Sequence, residues 1–198
     1  MNDQELLAQI QNNDQLAFKE LVKRYQKAVV NTCMGFVHNT DDARDLAQEV
    51  FIEVYQSIAK FRGDAKLSTW IYRIAVNKSL NFLRSHKKNS LLKSIEQFFK
   101  GEKNTHYEIA YNQSADSELL NNETALVLNK ALESLPENQR IAFVLSKYDE
   151  LPYAKISEVM DISVSSVESL LFRAKKNLQT KLVHFYTNKP KINYNTKK

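Results

Sequence analysis

Apolar residues recur every three to four positions through most of residues 3–86, the period of amphipathic helices. "DQELLAQIQ" opens the series with Asp3 as its predicted N-cap. "QLAFKELVKRYQKAVVNTCMGFV" sets Ala17, Phe18, Leu21, Val22 and Tyr25 on one side. "NTDDARDLAQEVFIEVYQSIAKF" starts with the cap-type residues Asn39, Thr40 and Asp41, and its early acids suit a helix N-terminus. "RGDAKLS" interrupts the pattern around Gly63, and "STWIYRIAVNKSLNFLR" restarts it with Ser68 as predicted N-cap. The pattern then fades. From Lys87 to Lys103 lysines dominate, and from Glu108 to Glu123 only acids carry charge. This stretch predicts a linker, extended or partly ordered. Periodicity resumes in "ETALVLNKALESL", in "ENQRIAFVLSKYD" after Pro136, in the short "LPYAKISEVMD" and in the long "ISVSSVESLLFRAKKNLQTKLVHF". The expected plan is all-α. Two small helical domains, residues 1–86 and 123–186, are joined by a flexible linker at 87–122 and followed by a basic, disordered tail at 187–198.

Composition narrows this plan. Gly and Pro number only three each in 198 residues, too few for a turn-rich β architecture. Cys33 is the single cysteine, which excludes an internal disulfide and reads as a small core residue. The four histidines are scattered, and no spacing suggests a metal site or a catalytic constellation. No cofactor is expected, and the chain does not read as an enzyme. Its acidic N-terminus is unlike a signal peptide, and the strongest apolar run, "IAFVL", is too short to span a membrane. A soluble cytoplasmic protein without membrane insertion is expected. The net charge of +5 mildly favours a polyanionic partner.

The second block reads as a helix-turn-helix. Ile156, Val159 and Met160 on one helix and Val164, Val167, Leu170 and Leu171 on the next are spaced to share a core across the turn "MDIS". Either Ser163 caps the second helix, or Ser165 and Glu168 form a capping box. Ser165, Ser166 and Ser169 near the start of that helix suit base edges, and Arg173, Lys175 and Lys176 suit phosphates. Glu168 opposes phosphate contact; it either accepts from a cytosine amino group or caps the helix. The bland alternative is a solvated helix with ordinary basic residues.

The first block presents two unusual faces. On the Asp41–Ile58 helix, Ala43, Ala47, Val50, Phe51, Val54 and Ile58 form the apolar side. The other side carries Asp41, Asp42, Asp45, Gln48, Glu49 and Glu53, with Ile52 among them. An acidic stripe is usually only solvated, but an isoleucine within it points towards a docking surface for a basic helical partner. On the Ser68–Arg84 helix the polar side holds Arg73, Asn77, Asn81, Arg84 and Trp70, the only tryptophan in the chain. Aromatic platforms mixed with positive charge bind single-stranded nucleic acid. The alternative is that Trp70 packs at the core edge.

The segments "DQELLAQIQ", "AFKELVKRY", "DDARDLAQEVFIEVYQSIAKF", "FRGDAKLSTWIYRIAVNKSLNFLR", "ALESLPENQRIAFVL" and "VSSVESLLFRAKKNL" follow one another from residue 3 to about 183. In that order the chain resembles the extracytoplasmic-function (ECF) class of bacterial RNA polymerase sigma factors, in the sigma-70 family. The resemblance implies a promoter-specificity subunit. Sigma region 2 would occupy 1–86 and region 4 would occupy 123–186. Asp45, Gln48, Glu49 and Ile52 match the face that docks on the β′ clamp helices of core RNA polymerase. Phe61, Gly63, Asp64, Ala65, Lys66, Trp70, Arg73 and Asn77 match positions that recognise and open the −10 element, where the loop holds a flipped base. The second domain would enter the −35 major groove through Ser165, Ser166, Ser169, Phe172, Arg173 and Lys176, with Arg140 on phosphate, and rest on the β flap. An anti-sigma factor is a common further partner. Where many members carry Gly-Thr-Val-Lys-Ser-Arg, this chain has Ser165-Ser166-Val167-Glu168-Ser169-Leu170. Two basic positions are lost, so phosphate contact should lean on Arg140, Arg173 and Lys176. Two other readings compete: a conventional duplex-binding regulator using only the second domain, and an adaptor that binds protein through the acidic face and no DNA.

Overall fold

The computed structural model describes residues 2–99 and 116–187. They form eight α-helices and one 3-10 turn, without a strand among them. Helix α1 (Asp3–Gln11) is capped by Asn2, one residue before the expected cap Asp3. Asn2 and Glu5 form a reciprocal capping box, which releases Asp3 to accept from Arg24 at 2.8 Å and from the Tyr25 hydroxyl at 3.1 Å. Asp14 caps α2 (Gln15–Val37) through the Leu16 and Ala17 amides. His38, left-handed at φ 56°, ends α2, and Asn39 caps α3 (Thr40–Ser57) as its residue type predicts. The turn Ile58–Lys60 leads into the loop, where Gly63 adopts φ +79°, a conformation that favours glycine.

Helix α4 (Leu67–Phe99) departs from expectation at both ends. It begins at Leu67, before Ser68, and Ser68 spends its hydroxyl on a tertiary contact with Lys155 instead of a cap. It also runs on through Lys87, so the start of the expected linker is helical. The stretch "HKKNSLLKSIEQFF" contains no Gly or Pro and is rich in good helix formers. Helix α5 (Asp116–Glu133) likewise begins inside the expected linker. Residues 100–115 of that linker and 188–198 of the tail lie outside the described residues.

Helices α1 to α4 enclose one core, built from Leu6, Leu21, Val29, Cys33, Val50, Val54, Ile71 and Ala75 among others. Cys33 is fully buried, and burial pushes its thiol up to about 11, so it stays protonated and inert. Helix α6 (Glu137–Lys147) and helix α7 (Tyr153–Met160) each begin directly after a proline, Pro136 and Pro152. Asp161, left-handed at φ 57°, closes α7. Ser163 then accepts from the Ser166 amide at 3.2 Å, so it is Ser163, not a Ser165–Glu168 box, that caps α8 (Val164–Thr187). Ala131, Leu132, Leu135, Ala174 and Leu178 join α5 to α8.

A third cluster crosses between the two halves. Phe36, Val76 and Leu80 of the first half pack with Val144, Leu145, Ile156, Val159, Val167 and Leu171 of the second. The two helical units therefore share a buried seam. The periodicity of either unit alone gives no sign of it.

Candidate nucleic-acid interface

The α3 face is as the wheel predicts. Its core side is buried, with Phe51 half-buried, and Asp45, Gln48, Glu49 and Ile52 are all exposed. Ile52 is 56% and Tyr55 55% exposed, so the acidic stripe carries a real apolar patch. Tyr55 stacks edge-on against Phe18 at 4.9 Å, and a shallow groove runs between Gln15, Phe18, Phe51, Ile52 and Tyr55. Sequence reading missed Tyr55 and the exposed Leu16. Tyr55 could have been found, since it stands three residues after Ile52. Lys78 of α4 reaches Glu53 at 2.9 Å and Glu49 at 4.0 Å, whereas Asp45 forms no ion pair among the described residues.

The loop before α4 is held from two sides. Gln11 of α1 donates to the Ile58 carbonyl at 3.3 Å and to the Phe61 carbonyl at 3.4 Å. Phe61 and Trp70 rest on each other with ring centroids 4.9 Å apart. Trp70 is thus half-buried at the rim of the first core, buttressing the loop with one part of its surface and leaving another part open. Gly63, Asp64 and Lys66 are exposed, Ala65 is half-buried, and Asn77 points to solvent.

Arg73 is placed otherwise than on an open face. Its Nε donates to the Val159 carbonyl at 3.1 Å and its Nη2 to the Glu158 carbonyl at 2.7 Å. It therefore caps the C-terminal end of α7, where a cation is favoured. Around it, Lys66 reaches Glu158 at 3.3 Å, Thr69 donates to Glu158 at 3.1 Å, and Lys155 donates to Ser68 at 2.9 Å and also to Thr69. These contacts hold the Glu158 carboxyl below the usual carboxylate range, with Lys155, Thr69 and Lys66 as the causes.

In the helix-turn-helix, Ser165, Ser166, Ser169, Phe172, Arg173 and Lys176 are all exposed along α8. Phe172 is 69% exposed, beside Glu168, Ser169 and Arg173 in a shallow groove. Arg140 does not join them. It lies in the seam between the units, its guanidinium 6.0 Å from the Phe36 ring, and burial lowers its pKa. The helical spacing of α6 could not have revealed this, because Phe36 comes from the other unit.

Two family models match the chain in order. The model of Sigma-70 region 2 matches residues 21–89, and that of Sigma-70, region 4 matches residues 125–178. The chain is 33% identical over 184 residues to the RNA polymerase sigma-H factor of Pseudomonas aeruginosa, covering 91% of this chain and 93% of that one. It is 34% identical over 187 residues to the ECF RNA polymerase sigma-E factor of Haemophilus influenzae, covering 92% and 96%. The solved structure of CnrH in complex with the cytosolic domain of CnrY has the same fold, with a TM-score of 0.63, 21% identity, and coverage of 92% of this chain and 97% of that one. With both regions matched in order and relatives aligned along nearly the whole chain, the protein belongs to the ECF class of sigma-70 family RNA polymerase sigma factors.

Proposed function

We propose that this chain directs promoter-specific initiation by core RNA polymerase and carries no catalytic chemistry of its own. Asp45, Gln48, Glu49 and Ile52 dock on the β′ clamp helices, and the second unit rests on the β flap. Phe61, the Gly63–Lys66 loop, Trp70, Arg73 and Asn77 take up the −10 element, and the N-terminal half of α8 enters the −35 groove. The observation that carries this reading is the exposed Ile52 and Tyr55 within an acidic helix face. A solvated stripe needs no apolar centre, whereas a protein interface does. Opening the −10 element costs a few kcal/mol per unstacked step. Base stacking at roughly 1–3 kcal/mol offsets part of it, and the half-open Trp70 and Phe61 pair suits that task. An anti-sigma factor covering these faces would silence the protein.

Run-off transcription tests the reading. Purified chain, core polymerase and a library of genomic fragments should give discrete start sites that depend on both proteins. Specific duplex binding without polymerase, and no dependent start sites, would favour a conventional regulator instead.

A further inference from the structure

The contacts between the two units are selective in what they cover. Arg73, Lys66, Ser68 and Thr69, all on or beside the strand-opening surface, are engaged by α7. The polar face of α8 stays exposed. At the far end of the seam, Arg84 grips both carboxylate oxygens of Glu137 at 2.8 Å.

Gly35 of α2 sets how closely the units approach. A Cβ there would stand 2.5 Å from a Val144 methyl and 2.9 Å from the Tyr148 ring. Both neighbours belong to the second unit, so any larger residue at 35 is incompatible with closure. The first unit itself imposes no such limit, and a helical glycine is a poor helix former.

Beside Gly35 lies a hydrogen-bond pattern that counts protons. The fully buried Thr32 hydroxyl sits 3.0 Å from the Ala28 carbonyl and 2.8 Å from Asp149 Oδ2. One hydroxyl proton cannot serve two acceptors. If the carboxyl is protonated, it donates to Thr32 and Thr32 donates to Ala28, so both short contacts are kept as hydrogen bonds. If it is ionised, one bond is lost, and the buried Oδ1 already has no hydrogen-bond partner among the described residues.

We propose that the second unit is a lid over the strand-opening surface in the free chain, latched by Thr32 and a protonated Asp149. The lid leaves the −35 helix available and ties up Arg73 and Lys66, the basic groups of the −10 surface, while Gly63, Asp64 and Asn77 stay exposed. Desolvation, partly offset by Thr32, pushes the Asp149 carboxyl up to about 7. The groups around it are Arg24, Lys27, Cys33 and Thr32 of α2, Tyr72 of α4, and Tyr148 and Glu150 of its own loop. Elsewhere in the seam, burial and then Arg140 pull His38 down to about 4, so that histidine opposes closure in acid.

The proposal rests on the −10 assignment above, and its test separates the two. Small-angle scattering at pH 6 would compare the free full-length chain with Gly35→Leu, which closure cannot accommodate, and Glu158→Arg, which sets a cation against Lys66, Lys155 and Arg73. Binding of a fluorescent single-stranded DNA pool of randomised sequence would be measured on each without polymerase. The parent should be compact and bind weakly; both variants should expand and bind roughly tenfold more tightly, as removal of an occluding state requires. A parent as expanded as the variants overturns the lid. Variants that expand without gaining affinity, while their holoenzymes open promoters normally, overturn it too. Expansion with no affinity gain and no promoter opening by any form overturns the −10 assignment beneath it.

Discussion

Acidification should close the free chain, and the sign is set by one carboxyl. Asp149 rises from an ordinary 3.8 in the open chain to about 7 in the closed one. Closure therefore takes up a proton between those values. It is unpenalised below the lower one, weakens as pH rises through the window, and loses nothing more above the upper one. From pH 8 to pH 6 this carboxyl alone shifts the closed-to-open ratio about tenfold towards closed. His38 works against it, because its pKa falls from 6.5 to about 4 on closure. Over the same interval it shifts the ratio roughly fourfold towards open. The parent should therefore close only about two- to threefold. His38→Gln should reveal the full tenfold response. Asp149→Asn supplies a permanent donor to Thr32, so it should be more closed than the parent at pH 8. Its response to acid should reverse, opening roughly fourfold through His38. Single-pair FRET reads this directly, with dyes on Gln56→Cys and Gln179→Cys, both exposed positions on opposite units. The buried, protonated Cys33 leaves those thiols selectively reactive. If Asp149→Asn closes in acid as the parent does, the latch is wrong.

Three further outcomes are expected. Gln48→Ala combined with Glu49→Arg should abolish co-purification with core polymerase; retained binding would count against the α3 docking face. Asn77→Ala should leave polymerase binding and stability intact, because the residue is exposed, yet reduce permanganate reactivity at the −10 element; an unchanged footprint sinks that contact. Trp70→Ala should do the same at an added folding cost, since it also packs on Phe61. Arg173→Ala and Lys176→Ala should each weaken −35 duplex binding by holoenzyme and lower the salt slope by about one, whereas an unaltered slope would remove them from the phosphate contacts.

The helices and both faces of α3 were legible because a period of 3.6 marks which side of a helix meets a core. So was the helix-turn-helix, through its short turn, although the choice between a Ser163 cap and a Ser165–Glu168 box came only from the structure. Trp70 was half legible: the wheel set it among polar residues, but only the fold shows Phe61 beneath it. The seam was not legible at all. Thr32 and Asp149 are 117 positions apart, nothing in the sequence around Gly35 marks a close neighbour, and Arg140 reads as a phosphate contact. Contacts between units carry no period, so single-helix patterns pass over them. The reach of α4 to Phe99 was missed for a different reason. Its amphipathic signal fades where it leaves the core, although its residues still favour helix.

Helix α1 precedes the region 2 match that begins at residue 21, yet Gln11 holds the carbonyls at Ile58 and Phe61 on which the loop before α4 is hung. A fragment trimmed to the matched boundary would keep the bulk of α2 to α4 but leave that loop moored on one side only. On the proposed −10 reading, helix α1 supports the loop that takes up the strand. Under that proposal, sequence drift there would alter how firmly a base is held and leave the choice of base to the loop.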